Sequence, residues 1–261
     1  MATISTGFMS DTVNGIKINS SYKCNATNYN SRTSRNIQYI VMHYTGNEKD
    51  TAKANANYFQ RANCNASAHF FVDNTNIYQS VALKNIAWHC GGSKYYHSSC
   101  RNTNSIGIEM CCTAGNYKIS ATTIENSAQL CAMLCKKIGI TAKTVDTYVL
   151  RHYDITHKIC PAQMANSASD ADWVAFKNRV KEILGGTTTN KTANNFKPYL
   201  VRINTAVLNV RKGAGTSYGI ATTVKKNEVY TIVEEKMNGS TKWGKLKSGA
   251  GWISLSYTEK V

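Results

Sequence analysis

The sequence predicts an α/β domain built on a central mixed sheet flanked by helices, followed by a small all-β barrel. Three observations carry this reading. Up to residue 184, β-rich runs alternate with helix-period stretches, the order that produces a sheet covered by helices. The segment from Gly185 to Asn195 holds no large apolar residue and reads as a linker. After it, short β-rich runs recur between Gly or Asn turns with no helical period. The expected organisation is a first domain over 1–184, a linker over 185–196 and a second domain over 197–261.

Each element has its own signal. Ile37 to Tyr44 is rich in β-branched and aromatic residues and predicts a buried strand that carries His43 near its end. Asp50 to Ala62 predicts an amphipathic helix. His69 to Asp73 and Ile77 to Val81 predict two strands around the turn Asn74-Thr75-Asn76. Ser105 to Cys111 predicts another strand. Thr122-Thr123-Ile124-Glu125 has the form of a capping box opening a helix that Gly139 closes. Tyr148-Val149-Leu150 predicts a strand that delivers His152 into an irregular polar loop. Asp170 to Leu184 predicts a last helix, capped by Ser169 or Asp170. Beyond the linker, strands are expected at Val207–Arg211, Ile220–Val224, Val229–Glu234, Trp243–Leu246 and Gly251–Ile253.

Composition sets limits. With 261 residues, 42% of them hydrophobic, the chain can bury a core and wholesale disorder is excluded. No apolar run approaches the ~18 residues that span a bilayer, so stable membrane insertion is not expected. Met1 to Met9 has neither a basic segment nor an apolar stretch, so a protein made in the cytoplasm without a signal peptide is expected. Nine cysteines, in such a chain, point to free thiols and metal ligation rather than a disulfide framework. Cys131 and Cys135 suit one buried helix face, and adjacent Cys111 and Cys112 in a strand point to opposite faces. The net charge is +16: residues 1–196 hold 20 basic and 11 acidic groups, residues 197–261 hold 11 and 4. Such a field attracts polyanions. Without a dense Lys/Arg block or helix-turn-helix pattern, nucleic acid is not the expected partner.

The chemistry gathers on His43, His152 and Cys160. Two imidazoles and a thiolate can hold zinc with a fourth position open, the arrangement of a catalytic site. A histidine in a strand is otherwise an ordinary core residue. Here Thr45-Gly46 after His43 leaves one side of the ring open, and Lys158 lies two residues before Cys160. A cation beside an open metal position suits a reaction that builds negative charge on oxygen.

Five segments in order carry a resemblance: His43-Tyr44-Thr45, Ala68-His69-Phe70, Trp88-His89-Cys90-Gly91-Gly92, Ser105-Ile106-Gly107-Ile108-Glu109, and His152 followed by Lys158-Ile159-Cys160-Pro161. Over about 20–180 the chain resembles zinc amidases of the N-acetylmuramoyl-L-alanine amidase type, which include phage amidases and animal peptidoglycan recognition proteins. The resemblance implies that His43, His152 and Cys160 hold Zn2+, that Lys158 stabilises the oxyanion, and that Glu109 is the general base. Some members place a tyrosine before the histidine of the His69-Phe70 strand. Ala68 stands there, so the burden would fall on Glu109. An acid within the apolar run Ile106 to Met110 is costly unless partnered or functional. Trp88 and His89 would line the substrate groove, His69 would be structural, and His157 an exposed loop residue.

Residues ~200–258 resemble bacterial SH3-type wall-binding domains, on Leu208-Asn209-Val210-Arg211-Lys212-Gly213, Thr216-Ser217-Tyr218, Trp243-Gly244-Lys245-Leu246 and Gly251-Trp252-Ile253. Together the resemblances imply a peptidoglycan hydrolase of the endolysin kind, cutting between N-acetylmuramic acid and L-alanine, with peptidoglycan and anionic wall polymers as partners. It would act on the wall after release from the host cell. The alternatives are a non-catalytic peptidoglycan-binding protein on the same fold, a host autolysin with the same chemistry, and a cysteine peptidase using one of the thiols. The sequence leaves the oligomeric state open.

Overall fold

The computed structural model describes residues 7–32, 36–165, 170–185, 198–216, 218–238 and 241–261. The chain divides into two compact units, parted between residues 188 and 189.

The first unit contains strands β1 (Thr12–Val13), β2 (Ile16–Asn19), β3 (Tyr29–Ser31), β4 (Tyr39–Tyr44), β5 (Phe70–Val72), β6 (Ile77–Gln79), β7 (Asn85–Ala87), β8 (Ser105–Met110) and β9 (Val149–Arg151). Its helices are α1 (Ala52–Tyr58), α2 (Ala121–Ile138), α3 (Val145–Tyr148), α4 (His152–Thr156) and α5 (Ala171–Gly185). Seven strands form one mixed sheet in the order β1-β2-β6-β5-β8-β4-β9, while β3 and β7 pair separately. At its centre β5, β8, β4 and β9 run parallel. Parallel strands are buried on both faces, which is why β4 and β8 read as nearly unbroken apolar runs.

The two faces differ in content. Ile40 and Met42 of β4 and Ile106, Ile108 and Met110 of β8 join the main core with Leu130, Leu134, Trp173, Phe176 and Val180 from α2 and α5. Alternation turns Tyr39, Val41 and His43, and Ser105, Gly107 and Glu109, to the opposite face. There Tyr39 and Val41 pack with Cys90, Cys100, Leu150 and Ile155. The site is built on this second face.

Three local expectations are corrected. The first helix spans only Ala52–Tyr58, capped by Thr51, whose hydroxyl accepts from the Ala54 N–H at 3.2 Å. The chain leaves the helix at Phe59, and just past the expected end at Ala62, Asn63 and Asn65 take positive φ of 58° and 56°. Asparagine is a poor helix former that tolerates this conformation. The cap of α2 is Ser120, accepting from the Thr123 N–H at 3.2 Å, so Thr122 lies inside the first turn. Glu125 instead pairs with Arg179 of α5 at 2.8 Å. Finally, His152 opens the short helix α4 rather than lying in an irregular loop. Gly139 does close α2, with φ of 81°. The linker expectation over 185–196 meets the structure only at Gly185, which ends α5; residues 186–196, like Ser169, lie outside the described residues.

The second unit is an antiparallel seven-stranded sheet of β10 (Tyr199–Ile203), β11 (Val207–Arg211), β12 (Ile220–Lys225), β13 (Val229–Asn238), β14 (Thr241–Leu246), β15 (Trp252–Ser254) and β16 (Thr258–Lys260), in the order β12-β11-β15-β14-β13-β10-β16. Its core is Val201, Ile203, Leu208, Val210, Val224, Ile232, Leu246 and Ile253. Trp243 is buried, while Trp252 keeps part of its surface, under the Lys245 ammonium at 5.8 Å. No helix among the described residues is long and apolar enough to cross a membrane.

Candidate metal centre

Strand register builds half of the site. In the parallel pair β4–β8, His43 stands directly opposite Glu109, and Glu109 in turn opposite Phe71 of β5. Directly opposed residues of parallel strands point to the same face, with backbones ~4.8 Å apart. His43 and Glu109 are therefore neighbours by construction.

The other half comes from β9 and the segment after it. β9 lies on the far side of β4 and ends at His152. α4 then turns the chain, and the Tyr153 N–H donates to the Cys160 carbonyl at 3.0 Å, which brings Cys160 back beside the first turn. Arg151 secures this return. Its guanidinium, only 5% exposed, binds Asp154 at 2.7 Å and Asp170 at 2.7 Å, and donates to the Met164 carbonyl at 2.7 Å. One buried side chain thus ties β9, α4, the turn near Met164 and the start of α5. Residue-by-residue reading missed Arg151, although its position beside His152 and the two nearby aspartates were visible.

His43, His152 and Cys160 meet. Their ligand atoms lie within 4.8 Å of one another, and all three residues are buried. Cys160 Sγ is 3.7 Å from His43 Nδ1. His152 Nε2 donates to the Gly91 carbonyl at 2.9 Å, which leaves Nδ1 of the neutral ring unprotonated, with its lone pair free. A second group of three ligand atoms, from His43, His89 and Cys90, shares His43.

Electrostatics keep both histidines neutral. Burial, then the neighbouring His152 and Lys158, hold His43 well below the ordinary imidazole range. Burial also lowers His152, against the pull of its bond to Gly91. Both rings are therefore neutral at pH 7, the form that ligates. Burial and the Glu109 charge push the Cys160 thiol up to about 12, so a metal binding there must displace its proton. The donor set of two neutral imidazoles and one thiolate fits zinc.

Glu109 is the exceptional carboxylate. The residue keeps some exposed surface, but its Oε2 is sealed from solvent and has no hydrogen-bond partner. Burial pushes its pKa up to about 8, with Lys158 pulling it down and Asp50 pushing it up. A sealed, unsatisfied carboxylate oxygen is costly. Lys158 is exposed on the segment after α4, and its charge is felt by His43, His152, Cys160 and Glu109 alike.

The remaining positions divide. Trp88 is half-buried, its indole donating to Asn30 Oδ1 at 2.6 Å. His89 is 7% exposed, with its Nδ1 3.0 Å from His43 Nε2. His69 is fully buried, as expected of a structural residue: its Nδ1 accepts from the Gly107 N–H at 3.1 Å, and burial pushes it down to about 3. Ala68 is buried. His157 caps α4 at φ 60° and stacks on Tyr96 with ring centres 3.6 Å apart.

Comparison with known proteins follows the same lines. The family model for N-acetylmuramoyl-L-alanine amidase matches residues 33–163, and that for the bacterial SH3 domain matches residues 206–259. The N-acetylmuramoyl-L-alanine amidase CwlL of Bacillus licheniformis is 33% identical over 60% of this chain and 44% of its own length. BlyA, an amidase of the same name from Bacillus subtilis, is 32% identical over 60% of this chain and 44% of its own. The chain thus spans less than half the length of these curated relatives. The solved catalytic domain of XlyA superposes with a TM-score of 0.52 at 27% identity, covering 63% of this chain and 99% of that one. A mutant endolysin from Bacillus subtilis gives 0.51 at 27%, with 63% and 99% covered. The first model takes in half of the chain and every residue of the cluster described above, and on that match the chain belongs to the N-acetylmuramoyl-L-alanine amidase family.

Proposed function

We propose that the protein is a zinc-dependent peptidoglycan hydrolase that cleaves the amide bond between N-acetylmuramic acid and the L-alanine of the stem peptide. The observation that supports this most directly is the sealed Glu109 carboxylate, placed by register beside a cluster of two histidines and a cysteine. His43, His152 and Cys160 would hold the zinc ion. When bound there, zinc supplies Lewis acidity and a water acidic enough to react at neutral pH.

The chain's own groups do the rest. Glu109, basic enough to take a proton and near enough to neutral to return it, accepts the proton of the attacking water and delivers it to the leaving amine nitrogen. Lys158 brings its ammonium to the oxygen on which negative charge develops. Trp88 borders the groove in which the glycan or stem peptide lies. Residues 1–184 form the catalytic domain, 185–196 the linker, and 197–261 a wall-binding domain whose basic excess suits an anionic polymer. Tethering raises the local concentration of substrate at the first domain. Likeness to a solved endolysin supports action on the wall after release in phage lysis.

The alternatives lose ground on specific observations. A binding protein without activity has no need of the sealed Glu109. A thiol peptidase needs a depressed thiol pKa, whereas burial raises Cys24, Cys90, Cys111, Cys112, Cys131 and Cys160. Mass spectrometry of fragments released from purified walls tests the reading. New L-alanine amino termini are expected, and they should vanish after metal chelation. New reducing sugars, or activity that survives chelation, would sink it.

A further inference from the structure

His43 has two ring nitrogens, and the proposed metal centre uses one of them. Nδ1 faces Cys160 Sγ at 3.7 Å, while Nε2 lies 3.0 Å from His89 Nδ1. The contacts continue inward. His89 Nε2 is 3.2 Å from Ser105 Oγ, and the Ser105 hydroxyl donates to the Arg101 carbonyl at 2.7 Å. His43, His89 and Ser105 are 2%, 7% and 0% exposed, so these groups must satisfy one another.

The far end fixes the direction of the whole chain. The Arg101 carbonyl can only accept, so Ser105 commits its single proton to it. The Ser105 oxygen is then left to accept from His89 Nε2–H. A neutral His89 with its proton on Nε2 has a bare Nδ1, which accepts from His43 Nε2–H. His43 with its proton on Nε2 has a bare Nδ1, on the side where Cys160 stands. Each step follows from the one before, and the last orients a ligand lone pair.

We infer that His89, itself fixed by Ser105, is a positioning residue that locks His43 in the tautomer presenting Nδ1 to the metal. The inference rests on the zinc reading given above and replaces the groove role for His89. Metal-bound histidines commonly hand their second nitrogen to such a partner, and losing it weakens metal binding about 10- to 100-fold. Gly107 makes the arrangement sterically possible: a Cβ there would fall 2.6 Å from His89 Cγ. Even alanine at 107 would force the ring out of its present place.

Two rivals use the same atoms. Cys90 Sγ lies 3.1 Å from His89 Nδ1, but a thiol is a weak donor beside an imidazole N–H. Alternatively, His43 Nε2, His89 and Cys90 could hold a second metal ion between them. In that case no proton would lie between the two rings.

The test measures zinc affinity of the full chain by competition with a chromogenic chelator, and thermal unfolding of the metal-free proteins. The parent is expected to bind one zinc ion per chain. His89→Leu should bind it about 10- to 100-fold more weakly, and Ser105→Ala should also be weakened. His89→Asn, whose side-chain oxygen can replace Nδ1 as acceptor, should recover most of the loss. If His89→Leu keeps the parent's affinity, or if His89→Asn is as weak as His89→Leu while both remain folded, the inference fails. Two zinc ions per parent chain, with one lost in Cys90→Ala, would establish the second metal instead.

Ring-nitrogen NMR of the parent keeps the question answerable if the variants do not fold. The proton of His43 and that of His89 should both be on Nε2, with and without zinc. A His89 proton on Nδ1 would overturn the proposed direction. A parent that binds no zinc would remove the metal reading, yet its tautomers would still report on the chain of donors.

Discussion

At the scale of single residues, Glu109 and His43 behave differently because one is left without a hydrogen-bond partner and the other is fully engaged. Glu109→Gln should keep the fold and the zinc ion but lose about 100- to 10,000-fold in hydrolysis of a soluble muropeptide, the range for removing a general base. Near-parental turnover with zinc bound would remove Glu109 from the mechanism. The same residue predicts a pH effect on the metal-free protein. Its carboxyl stands at about 8 in the fold against an ordinary 4.5, so folding favours the neutral form. That contribution is complete below pH 4.5 and is lost as the pH rises through 8. Thermal unfolding should therefore show Glu109→Gln gaining on the parent as pH rises across this window. A constant difference would mean that the carboxylate is solvated. That His43, His152 and Cys160 gather was legible in the sequence, because His152, Lys158 and Cys160 lie close together and His43 lies near the end of an apolar strand. The place of His89 was not, because it depends on the space above Gly107 and the proton of Ser105. Neither leaves a pattern in residue types.

At the scale of elements, the fold's strongest local ties surround the ligands. Arg151→Leu breaks two carboxylate pairs and the bond to the Met164 carbonyl at once. Loss of one partner from a buried ion pair costs about 3–5 kcal/mol; Asp170 lies near the surface and screens part of this, so about 2–4 kcal/mol is expected by denaturant unfolding. Zinc affinity should fall with it, since the same guanidinium anchors the strand and helix on either side of His152. Ser120→Ala removes the cap of α2 and should cost about 1 kcal/mol without touching zinc affinity, because α2 packs on the opposite face of the sheet. The contrast between these two variants separates general destabilisation from damage to the site. Strands rich in β-branched residues, such as β4, β8 and β11, were readable from composition. Short strands β1, β2, β3 and β7 were not, since two to four residues carry too little periodicity and their pairing is set by neighbours. The end of the first helix misled for a related reason: spacing carried it to Ala62, while the chain leaves the helix at Phe59 and turns at the left-handed Asn63 and Asn65.

At the scale of the whole molecule, each unit has its own core, so catalysis and retention should be separable. A chain ending at residue 185 should hydrolyse a soluble muropeptide at the full-length rate. It should sediment less with purified walls than the full-length protein does. Wall binding of the full chain should weaken as salt rises from 50 to 500 mM, concentrations at which exposed charges are progressively screened; binding that ignores salt would point to aromatic contacts such as Trp252 and Tyr218 instead. The two-part organisation was plain in the sequence because texture changes so sharply after the last helix.

The pairing of His43 with Glu109 across β4 and β8 has one more consequence. A β4 slipped by a single residue would turn His43 away from the face of Glu109 and of Cys160, and the chain could still collapse around much the same apolar content. Such a molecule would look folded by size and by circular dichroism. It would have no zinc site. The zinc content of a preparation is therefore a head-count of molecules in which β4 assembled in the right register, and it offers a quality measure that bulk optical signals cannot give.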